Sequence, residues 1–230
     1  MKLYRYQPIN QNTLLSLVKE KNWVSDPLNF NDPFEFRFTE INNSNKQNEL
    51  VYLEEESRMV RILYDEIVSN YGVVCYSSVE PNILLYSHYA DKHRGMCLEF
   101  EVNNIENSNL KEVEYCTEFK RIAFSSENHG QKEEIEMILT SKSKVWEFEK
   151  EYRQIFNFKN NYTHYPGKLT RIIFGCQAKR DDIDEVINLE SLNTKEIEFC
   201  KSFIFPNSYK LGISTAKRFK DGTIGIPETW

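Results

Sequence analysis

Glycine and proline are scarce, 8 and 7 in 230 residues, which argues against a flexible or repetitive architecture. Cysteine is sparse too. Cys75, Cys97, Cys116, Cys176 and Cys200 are scattered and odd in number, and no two form C-x-x-C. That spacing excludes a disulfide framework and the common zinc patterns, and it reads as buried free thiols in a reducing cytoplasm. No apolar run approaches membrane-spanning length, and Met1–Tyr6 has no apolar leader core. A basic excess is missing: the formal net charge is −6 and the pI about 5.4, which disfavours tight nucleic-acid binding. G-x-S-x-G, H-E-x-x-H and G-x-G-x-x-G are absent, so the common hydrolase, zincin and dinucleotide-fold readings have no support.

Aromatic residues are abundant at 13%, with 15 Phe and 13 Tyr against 3 Trp, a composition that favours strands and half-buried sheet faces. The length suits one globular domain, 1–230, with a real core. Strands are expected at Leu3–Gln7, Phe34–Thr39, Val73–Ser77, Met96–Val102 and Leu169–Cys176, from apolar runs or strict alternation. Helices are expected after Asn12 or Thr13, over Glu49–Asn70, Pro81–Ala90, His129–Lys144 and Asp182–Asn188. Helices and strands mix without regular βαβ alternation. The fold class is therefore α+β, with a mixed or largely antiparallel sheet, or two small sheets, and three to five helices.

Three stretches carry chemistry. Ser87–Gly95 places His88, Tyr89, Asp91, His93 and Arg94 at a helix end. The two histidines are five apart, a spacing that does not align metal ligands on one helix face, so no metal is predicted. Histidines hydrogen-bonded at a helix end are the plain reading. Glu147, Glu149 and Glu151 alternate with Trp146, Phe148 and Lys150; as a strand, three carboxylates share one face with Arg153. Clustered carboxylates repel, so one needs a cationic partner or a raised pKa. A solvated strand edge is the plain alternative, and composition alone favours it. Asn31-Asp32-Pro33-Phe34-Glu35 reads as an Asx turn that starts a strand.

Taken together, Leu3-Tyr4-Arg5-Tyr6, Asn31–Glu35, Ser87-His88-Tyr89-Ala90 with His93 and Gly95, Trp146 with Glu149 and Glu151-Tyr152-Arg153, and Ile172–Gly175 resemble the bacterial family known as domain of unknown function two-nine-seven-one. Tyr86 stands where the family pattern suggests tryptophan. The resemblance covers nearly the whole chain and names no reaction. A more distant similarity is to ADP-ribosyltransferase-like folds, through an arginine on the first strand and a late glutamate near a strand start. That similarity implies NAD as substrate, cleaved by transfer or hydrolysis, in a phage defence or toxin system acting on a macromolecular target. It assigns Glu151, with Glu149 as substitute, and His88 to catalysis, and Arg5, Tyr89, Arg153, Asn31 and Asp32 to the nucleotide. One alternative is a metal-dependent hydrolase or nuclease built on His88, His93 and acidic residues. Another is a non-catalytic module that binds a ligand or a partner protein.

Overall fold

The computed structural model describes residues 1–40, 60–62, 64–104, 108–122, 132–193, 196–218 and 224–225. The architecture is α+β, with sheets that are mixed and mostly antiparallel. The chain folds as two compact units. The first comprises Met1–Trp23, Cys75–Ser108 and Tyr162–Trp230, and the second Val24–Val74 and Asn109–Asn161.

The first unit is built on a sheet in which Leu211–Thr215, Glu198–Ile204, Lys168–Phe174, Met96–Glu101 and Lys2–Gln7 follow one another across the strands. Lys168–Phe174 and Glu198–Ile204 run parallel; the other neighbours are antiparallel. Met96-Cys97-Leu98-Glu99-Phe100 is buried on both faces, which is why this run reads as continuous rather than alternating hydrophobicity. Its one charge is compensated. Glu99 accepts from Thr170 Oγ1 at 2.9 Å and from Arg171, and pairs with Lys2 at 3.0 Å. Burial pushes the Glu99 carboxyl up, but Arg171, Lys2 and Thr170 outweigh it and hold its pKa below the ordinary value.

Helix Gln11–Lys19 opens on a capping box between Asn10 and Thr13, two or three residues earlier than the sequence suggests, and closes with Glu20 in the left-handed region. Helix Ile83–Tyr89 starts as expected, with Asn82 Oδ1 accepting from Leu84 N at 2.8 Å. Leu85 and Tyr86 form its inward face, whereas Leu84 and His88 are exposed. Tyr86 lies in a core with Tyr4, Ala90, Cys97, Ile173 and Cys200, and its hydroxyl donates to Ile173 O at 2.9 Å. All five cysteines are free; Cys97 and Cys200 are buried, and the other three are half-buried.

After this helix the chain turns through Asp91, Lys92 and His93, with φ of 44°, 54° and 68°. Three consecutive non-glycine residues in the left-handed region cost roughly 1–2 kcal/mol each. Main-chain bonds offset that cost: His93 N to Tyr86 O at 3.2 Å, Gly95 N to Ala90 O at 2.8 Å and Gln177 N to His93 O at 3.0 Å. Gly175 is required by this packing, since a Cβ there would lie 2.1 Å from His93 O. The His93 ring stacks on Tyr86, centroids 5.5 Å apart at 17°.

The second unit holds shorter pieces. Phe38–Glu40 pairs in parallel with Lys120–Ile122, and Glu114–Cys116 with Ser141–Ser143. Glu151–Phe156 pairs antiparallel with Leu110–Glu112, and helix Lys132–Leu139 buries Ile138 and Leu139. Residues 60–62 and 64–70 are helical; the rest of the helix expected over Glu49–Asn70 and the start of that over His129–Lys144 lie outside the described residues. The Phe34–Thr39 strand is corrected: a tight turn occupies its first half, Phe36 is left-handed at φ 61°, and strand begins only at Phe38.

His93 yields a pH prediction. Ser87 Oγ donates to Ile83 O at 2.8 Å, so at 3.0 Å it accepts from His93 Nε2–H, which leaves Nδ1 buried and bare. Burial lowers the His93 pKa from 6.5, so the fold prefers the neutral ring. Its contribution is present above the unfolded pKa and is lost as pH falls below it. Urea denaturation should show the wild type losing stability from pH 7 toward pH 5 relative to His93→Asn, which does not titrate there and tolerates the left-handed backbone. Parallel pH profiles would refute this role.

Candidate functional site

The second unit is organised around an ionic cluster with almost no exposure. Arg153, which follows Glu151 and Tyr152 on its strand, is 0% exposed. Its Nε donates to Glu151 Oε1 at 2.7 Å, and one terminal nitrogen to Glu151 Oε2 at 3.0 Å and both Glu35 oxygens at 3.0 and 2.9 Å. The other terminal nitrogen donates to Leu139 O at 2.8 Å. Phe30 and Phe36 lie against the guanidinium, 5.9 and 5.3 Å from ring centroid to Cζ. Lys142 completes the cluster: its Nζ lies 2.5 Å from Glu149 Oε2, 3.0 Å from Glu151 Oε2 and 3.2 Å from Glu35 Oε1. Burial works against the Lys142 ammonium, but Glu151, Glu35 and Glu149 outweigh it and raise its pKa above the ordinary lysine value.

The expected face of three strand carboxylates does not form. Lys144–Glu149 is a 3-10 helix, Lys150 is left-handed at φ 45°, and strand begins at Glu151. That break turns Glu147 outward to Lys144 at 2.8 Å and brings Glu149 and Glu151 together on Lys142. The solvated-edge reading is corrected as well: Glu149 and Glu151 are 3% and 4% exposed. The cationic partners they need are Lys142 and Arg153.

Glu35 was missed. In a strand it would alternate outward, but the turn at Asp32 sends it inward. Asp32 Oδ1 accepts from Phe34 N at 2.8 Å, which is the expected Asx turn, and Oδ2 accepts from Trp146 Nε1 at 2.7 Å. A signal was present in the two prolines and four Asx residues within 26–33, which mark turn rather than strand. Lys142 was missed for want of any local pattern.

Lys142 also lines a cavity of about 520 Å³. Among the described residues, Arg37, Lys120 and Arg121 are the other cations on its wall, and Glu118 is the one lining carboxylate. Thr39, Thr117, Ser141 and Ser143 add hydroxyls, and Phe34 and Phe119 add exposed rings. Lys120 pairs with Glu114, and Arg37 lies over the Tyr64 ring at 4.3 Å. Such a wall can hold an anion by charge-assisted hydrogen bonds.

Glu149, Glu151, Arg153 and Asp32 are thus brought into one neighbourhood of the second unit; Asn31 precedes Asp32 there, exposed. Arg5, His88 and Tyr89 belong to the first unit. Arg5 donates to Trp23 O at 3.2 Å, and the exposed His88 ring lies 6.1 Å from that of Tyr89. Asp91 is gripped by Arg94 through both oxygens, at 3.0 and 3.1 Å. Among the described residues, no group of three or more His, Cys, Asp or Glu side chains is placed to hold a metal ion.

The cluster makes a stability prediction. Removing one partner of a buried ion pair strands the other, so Arg153→Met should cost about 3–5 kcal/mol in urea denaturation. A double-mutant cycle with Glu35→Met should recover part of that loss, because the pair is then removed together. Strict additivity would show that the two side chains are not coupled.

No curated protein and no solved structure matches the chain. A family model does match, over residues 85–154. That span holds the His93 turn, Lys142, Glu149, Glu151 and Arg153, but not Glu35 or the expected motifs at Leu3–Tyr6, Asn31–Glu35 and Ile172–Gly175. What the chain is similar to, over residues 85–154, is the family described as Protein of unknown function (DUF2971).

Proposed function

We propose that the second unit binds an anionic, phosphate-bearing small molecule in the cavity walled by Arg37, Lys120, Arg121 and Lys142. The observation that carries this reading is the charge of the wall: among the described residues that line it, four cations stand with one carboxylate, and Arg37 and Arg121 are exposed, in a chain whose net charge is −6. A concave site concentrates that field and raises the local anion concentration. Lys142 reaches the wall from the buried cluster, where Glu149, Glu151 and Glu35 take its ammonium, so it fixes the wall while Arg37, Lys120 and Arg121 are the cations left to meet a ligand. In isothermal titration with pyrophosphate, Arg121→Glu and Lys120→Glu should each weaken binding by about tenfold or more. Both reversals leave the buried cluster intact. Undetectable wild-type binding, or affinity that ignores both reversals, would refute the reading.

A second reading is cleavage of NAD, a diphosphate of the same ligand class. It is favoured by the position of Glu151, whose carboxylate bonds Lys142 at 3.0 Å, one side chain behind the cavity wall. At 4% exposure and already bonded to Arg153, Glu151 suits a positioning role better than direct contact with a ribose. The NAD reading expects nicotinamide release that Glu151→Gln abolishes while circular dichroism is unchanged. No release by the wild type would remove NAD cleavage and leave anion binding standing.

A further inference from the structure

The cavity wall is not uniformly ionic. Phe34 is 64% exposed and Phe119 is 45% exposed, and both line the same cavity as the cations. Phe30 and Phe36, near Phe34 in sequence, lie against the Arg153 guanidinium, so this segment divides its aromatic residues between an inner and an outer role. Phe34 is also held in place. Its own N–H is given to Asp32 Oδ1 at 2.8 Å, and Asp32 is bound in turn by Trp146 at 2.7 Å. An exposed ring on a fixed turn loses little freedom when a flat partner stacks on it.

We infer that the ligand of this cavity is a free nucleotide, its base stacked on Phe34 or Phe119 and its phosphates on Lys120 and Arg121. The inference rests on the anion-binding reading and deepens it. Inorganic phosphate, a sugar phosphate or an acidic peptide would use the cations and leave both rings in water. A base covers a ring face irrespective of its hydrogen-bonding edge, and a phosphate satisfies the cations; one molecule carries both. A free nucleotide is favoured over a strand because the site is a cavity of about 520 Å³ and the chain as a whole is acidic.

The test is isothermal titration of the full chain with pyrophosphate, ADP and a short single-stranded oligoadenylate. ADP should bind about tenfold or more tightly than pyrophosphate, and at least one of Phe34→Ala and Phe119→Ala should weaken ADP several-fold while leaving pyrophosphate unchanged. Both rings are exposed, so thermal melts of the two variants should match the wild type, which separates loss of stacking from loss of fold. Equal binding of ADP and pyrophosphate, with neither altered by the phenylalanine variants, would overturn the nucleotide and leave the anion reading intact. Binding of neither overturns both. Oligoadenylate bound more tightly than ADP would overturn the free nucleotide in favour of a strand.

Discussion

The fork of Arg153 between Glu35 and Glu151 is the contact on which the second unit depends. A guanidinium withdrawn from water is tolerable only when its planar donors meet acceptors in fixed directions. Here the acceptors come from a turn near residue 35, from the strand carrying Arg153, and from the end of helix Lys132–Leu139. Three separate segments are therefore tied to one side chain. Lys142, from a fourth segment, then shares Glu35 Oε1 and Glu151 Oε2 with Arg153 and adds Glu149. Three carboxylates and two cations leave a surplus negative charge when all are ionised, and that surplus keeps the lysine protonated. Stability and candidate function meet at Lys142, which is bound to the cluster and also lines the cavity.

The first unit solves a comparable problem differently. Its buried glutamate, Glu99, sits mid-strand in an otherwise apolar run and is met by Lys2 and Arg171 from the two flanking strands. Those strands reach Glu99 by register: Tyr4 and Arg171 both stand opposite it. Sheet pairing thus delivers the charge partner without help from a loop. The strained turn at Asp91–His93 is an irregular feature of this unit, and it is held by helix Ile83–Tyr89 on one side and Gly175–Gln177 on the other.

Much of the fold was legible because apolar runs and caps are local signals. Met96–Glu101, Lys168–Phe174 and the Asn82 cap follow from a few adjacent residues. The site was legible only in part. Glu149, Glu151 and Arg153 stand out by spacing, yet their strand geometry was wrong because a left-handed lysine is not foretold by composition. Alternation of Phe34, Phe36 and Phe38 imitates a strand, although the same three rings serve a turn, a cation and a core. Lys142 had no local signature at all: its significance comes from residues seven and nine positions later and from Glu35, far away in sequence. Sequence periodicity reports burial against the nearest sheet, and says little about charges that find one another across loops.

The left-handed Lys150 makes the interval between Glu149 and Glu151 a matter of backbone phase. On a continuous strand, residues two apart face the same way but stay well separated along the chain; with one reversed residue between them, both reach a single ammonium. Lys150 itself is exposed, and in most proteins such a position would accept an insertion or deletion at small cost. In this chain the loss or gain of one residue there would rotate one carboxylate away from Lys142 and maroon a charge in the interior. The short segment 149–151 therefore behaves as a ruler, and its length is constrained more strictly than the identity of its middle residue.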